Sequence, residues 1–159
     1  MDEGDPADRD PSPALAEARR RRADLHAALI SVEEAISGPA VGREALWSAQ
    51  VAKRLTGLRD AIDEHIHVTE RPEGLYDEIR ARAPRLANAV ERLQAEHAPL
   101  RDDTAAMVER LEGDGVGDSW PLPQARDDLQ RLLGRVVRHR QLGADLVWDA
   151  YNLDIGGIE

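Results

Sequence analysis

The stretch LTGLRDAIDEHIHVTE, Leu55 to Glu70, places Leu55, Leu58, Ile62, His65 and Thr69 at alternating spacings of three and four. That period is one face of an α-helix, and a histidine falls on the apolar stripe. The pattern recurs twice downstream. Val90, Leu93, His97, Leu100 and Thr104 form one such stripe, and Leu132, Val136, His139, Gly143 and Leu146 another. An upstream segment carries Leu15, Ala18, Arg22, Leu25, Leu29, Val32 and Ile36, with His26 beside Leu25 at the edge of the inward face. His67 lies about 200° round the axis from His65 and is expected to face outward.

Four such segments, joined by short connections, predict an all-α protein, an up-down-up-down four-helix bundle. The first ends at SGPAVG (Ser37–Gly42), where glycine and proline stop a helix. The second runs from about Ala45 to Glu70. RPEGLYDEIRARAP connects onward with a short helix near Leu75–Arg82, and the third helix begins near Pro84. GDGVGDSWPLP (Gly113–Pro123) reads as a plain loop, since no Lys-Ser/Thr follows its glycines to make a phosphate cradle. The fourth helix starts around Pro123. Residues 1–12 are expected to be a disordered lead-in, 13–151 the bundle, and 152–159 a tail. Pro99, two after His97, deletes one backbone hydrogen bond and predicts a kink beside the histidine. Trp47, Trp120 and Trp148 are expected to cap the bundle ends.

Bulk properties narrow the function classes. The 159 residues are 42% hydrophobic and 33% charged, with no cysteine and no phenylalanine. One domain with an aliphatic core follows. A net charge of −10 disfavours nucleic acid, which needs a basic face. Arg19–Arg22 is a local exception, read as a solvated helix face. The absence of cysteine excludes thiolate metal sites and cysteine nucleophiles. No apolar run spans a bilayer, and the acidic N-terminus lacks a secretory pattern, so no membrane and a cytoplasmic location are expected. No Ser-His-Asp order or nucleophile elbow points to an enzyme.

The histidines carry the chemistry. A single histidine on an apolar stripe is ordinarily a satisfied core residue. Here His26, His65, His97 and His139 supply one per helix, and a buried imidazole needs a partner. A shared metal ion satisfies them together, neutral imidazole being the commonest protein ligand of transition metals. His26 and His65 stand at different distances from the connection between their helices, so meeting requires a break or tilt near Trp47.

With His26, EHIHVTERPEGLYDEI, VERLQAEHAPL and LLGRVVRHRQLGADLVWDAY, the chain resembles the hemerythrin-like family over roughly residues 14–151. The resemblance implies a bundle holding a non-haem iron pair, with His followed four residues later by Glu in the second and fourth helices. Those positions hold Thr69 and Gly143 here. Three readings remain open. Glu70 and Asp145, out of phase with the histidines, replace the missing carboxylates, which for Glu70 demands unwinding because it lies about 140° from His65. Alternatively, four imidazoles bind one divalent ion with Glu64 or Glu96 reaching in. Or the metal is lost, and Thr69, Thr104 and Gly143 line a cavity for an organic ligand. Glu64 and His67 also form an ExxH pair, half of a ferritin-type motif, read as a surface pair. The expected cofactor is iron, possibly di-iron, or another divalent ion. The expected partner is that metal or a small molecule, in sensing or handling oxygen, nitric oxide or oxidative stress. The alternative is a metal-free ligand-binding or interaction module.

Overall fold

The computed structural model describes residues 10–152, so most of the expected lead-in and tail lies outside the described residues. Ser12 is part of the fold. Its hydroxyl accepts from the Leu15 backbone N–H at 3.1 Å and donates to Glu78 at 2.6 Å, capping the first helix, and Pro13 follows at the first helical position. The helices are α1 (Pro13–Ile36), α2 (Glu44–Glu70), α3 (Leu75–Arg82), α4 (Ala87–Glu112) and α5 (Leu122–Tyr151). A 3₁₀ turn, Pro84–Leu86, leads into α4. There is no strand among the described residues.

The four long helices pack together, and cross-helix contacts give their direction. Arg21–Glu64 and Arg54–Ser31 run α1 against α2 in opposite senses. Arg135–Asp103 and Arg110–Asp128 do the same for α4 and α5, and Arg126 reaches the carbonyl of Ile36 between α5 and α1. The apolar stripes meet in two clusters. The larger contains Leu25, Val32, Leu55, Leu58, Ile62, Leu100 and Val136, and the smaller Leu15, Ala18, Tyr76, Ile79, Leu93 and Leu146. Trp47 and Trp120 do not merely cap the end: both are fully buried in the larger cluster. Their indole N–H groups donate to the Ile36 carbonyl and to Asp128, so neither buried donor is orphaned. Trp148 is instead exposed. Helix α4 continues through Pro99.

The α2–α3 turn matters most for the site. Gly74 accepts no side chain: a Cβ there would lie 2.8 Å from the carbonyl oxygens of both Arg71 and Val68. Glu73 beside it has a positive φ of 62°, uncommon for a non-glycine residue. This tight reversal folds α3 back over the bundle, where Leu75, Tyr76 and Ile79 are buried.

Candidate metal centre

His65, His97 and His139 converge from α2, α4 and α5. They lie between the two apolar clusters, with Ile62, Leu100 and Val136 on one side and Tyr76, Leu93 and Leu146 on the other. His139 Nε2 is 3.1 Å from His97 Nε2 and 3.3 Å from His65 Nε2. The rings meet edge to face, with centroids 4.9 to 5.3 Å apart.

The outer nitrogens explain how the rings are held. His97 Nδ1 is 2.7 Å from Glu70 Oε2, and Glu70 Oε1 accepts from Gln94, whose own oxygen accepts from Arg80. His139 Nδ1 faces Glu96 more loosely, at 3.5 Å. A carboxylate can only accept, so at His97 the proton sits on Nδ1 and the Nε2 lone pair points inward, and the looser Glu96 contact favours the same tautomer at His139 without fixing it. Two lone pairs at 3.1 Å repel unless a proton or a cation lies between them. Tyr76 answers one, its hydroxyl lying 3.2 Å from His97 Nε2 with the ring stacked on the imidazole. Burial raises the Tyr76 phenol above its usual pKa, so at neutral pH it is a donor.

The three imidazoles are neutral at pH 7. Burial pushes His65 down to about 3, helped by repulsion from His97 and His139. Burial likewise lowers His97 and His139, against the opposing pull of Glu70 and Glu96. Neutral imidazole is the form that ligates a metal. The spacing suits one too. Zinc–nitrogen bonds of ~2.0–2.1 Å in a tetrahedron set nitrogens about 3.3–3.4 Å apart, close to the two separations from His139, and all three ligand atoms lie within 4.8 Å of one another.

Two expected ligands are elsewhere. His26 is exposed and does not join the cluster. Helix α2 is unbroken at Trp47, and the Arg21–Glu64 contact sets the level of His65 near residues 20–22 of α1. His26 therefore lies several residues off, roughly 6–9 Å along the axis. Of the stripe positions on α1, Ala18 and Arg22 stand nearest that level instead. Asp145 is also exposed and accepts from Gln141, four residues back on α5. Glu70 does come to the site, without any unwinding, by reaching the outer face of a histidine on α4. Glu64 is exposed near Arg21, and His67 faces outward.

The hydroxyls are turned onto their own helices. Thr69 donates to the His65 carbonyl at 2.8 Å and Thr104 to the Leu100 carbonyl at 2.6 Å. Thr69 and Gly143 nevertheless line a cavity of about 230 Å³ whose inner end is His65 and His139, whereas Thr104 is not among its lining residues. No atom lies within 4 Å of where a Gly143 Cβ would sit, leaving open space at that position. Sequence reading missed Tyr76, whose signal was one of only two tyrosines directly after a glycine-bearing helix exit. It also passed over Arg22, which occupies a stripe position.

No helix among the described residues is long and apolar enough to cross a membrane. Comparison with family models, curated proteins and solved structures gives no match for this chain.

Proposed function

We propose that the protein is a metal-binding bundle in which His65, His97 and His139 hold one divalent transition-metal ion through Nε2. The observation that carries this reading is the convergence of neutral Nε2 atoms at 3.1 and 3.3 Å, with carboxylates at Nδ1 of His97 and His139. Carboxylate-backed histidines are the usual outer shell of a metal site. Three imidazoles leave a fourth position open, as in a reactive rather than a structural centre, and the cavity at His65 and His139 would give it access to a small molecule.

An all-imidazole inner set suits zinc, copper, nickel or ferrous iron. A di-iron pair is less well supported, because Glu70 and Glu96 engage the outer nitrogens and Asp145 points to solvent. On this reading the chain is a cytoplasmic, hemerythrin-like bundle reduced to a single-ion centre. Its role would be sensing or handling oxygen, nitric oxide or oxidative stress by binding, in preference to catalysis. The test is metal content of protein purified without tag or chelator, compared with His65→Ala, His97→Ala and His139→Ala. Each substitution should remove most of the metal while helicity persists. Full loading in all three variants would refute the site.

One observation favours a second reading, a metal-free ligand-binding or interaction module. The same Nε2 separations are hydrogen-bond lengths, so a single reversed tautomer at His139 could bridge to its neighbours. Nitrogen-15 NMR of the imidazoles separates the two: a bridging proton gives one Nε2–H tautomer, and a bound ion gives Nδ1–H on all three.

A further inference from the structure

The Arg19–Arg22 run is not uniformly solvated. Arg19 and Arg20 are exposed, and Arg21 pairs with Asp24 and Glu64. Arg19 and Arg22, one turn apart, line the cavity described above, and Arg140 joins them from α5, next to His139. Arg22 and Arg140 are half-buried, and the Nε of each is out of solvent without a hydrogen-bond partner among the described residues. Neither forms an ion pair there, although the chain carries ten more negative than positive charges. Both guanidiniums share one cavity, and no Asp or Glu is among the described residues that line it. Fixing two partly desolvated cations side by side is costly unless an anion is bound between them. Beyond His65, Thr69 and His139, much of the wall is apolar, built from Leu15, Leu25, Leu146, Val147 and the exposed Trp148.

We propose that this cavity binds a small organic anion, with its oxyanion head between Arg22 and Arg140 and a compact apolar body against the leucine wall. Guanidinium forks match the two oxygens of a carboxylate or of a phosphate ester. The volume of about 230 Å³ exceeds the ~150 Å³ that accommodates a benzene ring, so a ligand on the order of ten heavy atoms fits. The open space at Gly143 widens the same cavity. The site does not depend on a metal, since both arginines belong to the protein itself.

The test is calorimetric titration of the full chain, stripped of metal by a chelator, with benzoate and with phenyl phosphate. Benzyl alcohol supplies the body without the charge, and sulfate the charge without the body. At least one of the two organic anions should bind, at least tenfold more tightly than either control, and the stronger of them identifies the head group. Arg22→Gln and Arg140→Gln should each weaken it at least tenfold, the scale of a lost charge-assisted hydrogen bond. Gly143→Leu, which fills the cavity while favouring the helix, should abolish binding with circular dichroism unchanged. The proposal is overturned if neither anion binds, if benzyl alcohol or sulfate binds as tightly, or if the arginine variants bind normally. Because the protein is metal-free throughout, a negative result here leaves the three-histidine centre to its own test.

Discussion

Glu70 Oε2 lies 2.7 Å from His97 Nδ1, on the opposite side of the imidazole from the nitrogen that meets His139 at 3.1 Å. On the single-ion reading, the carboxylate orients a ligand and raises its basicity, and does not itself reach the ion. Glu70→Ala should lower metal affinity by about 10–100-fold, the range found for outer-shell partners. Competition titration against a chromogenic chelator reads it. A complete loss of metal would instead make Glu70 a ligand.

The Gly74 turn brings Tyr76 to the site. Gly74→Ala would drive a methyl group to 2.8 Å from two backbone carbonyl oxygens, so the turn must open. We expect a loss of about 1–3 kcal/mol, typical of a strained backbone position. Urea unfolding measures it, and tyrosine fluorescence should report greater exposure of Tyr76.

Much of this arrangement was legible in the sequence, for physical reasons that also mark where legibility stopped. Helical period fixes which face a residue occupies, so His65, His97 and His139 could be set on inward stripes and His67 outward. The short α3 and the helix limits followed from glycine and proline signals. Period says nothing of how far one helix slides along another. The Arg21–Glu64 contact shows that offset, which puts Arg22 rather than His26 near the histidine level. Ideal helix geometry puts Glu70 about 140° round α2 from His65. What a single helix could not reveal was that this direction faces a histidine on α4. Tyr76 depended on a chain reversal with φ of 62° at Glu73, which no periodicity encodes.

Stability of the metal-free protein should depend on pH in one direction. Burial holds the three cluster histidines below their ordinary pKa of 6.5, His65 down at about 3. Between those values the unfolded chain binds more protons than the folded one, so stability rises with pH. The contribution is complete above about pH 6.5 and is lost as pH falls towards 3. Urea midpoints from pH 7.5 to 4 should decline, and His65→Leu should flatten the decline. An unchanged slope in that variant would contradict the assignment of His65 as a buried neutral group.

Gly143 is mid-helix with open space beside it. Gly143→Ala should stabilise the protein by about 0.5–1 kcal/mol, because alanine relieves the backbone entropy cost and meets nothing. A lower melting temperature would show that the position is crowded.

Arg140→Gln should raise the melting temperature of the ligand-free protein, since it removes a partly desolvated charge and its repulsion with Arg22. Differential scanning calorimetry without added anions measures this. A decrease would mean that the arginine stem contributes more through packing than its charge costs.

The most direct measurement is elemental mass spectrometry of the tag-free protein, purified without chelators and reloaded anaerobically where needed. One divalent ion per chain, lost on His97→Ala, is the expected result. Two irons per chain, or no metal under any loading condition, would contradict a single-ion centre at His65, His97 and His139.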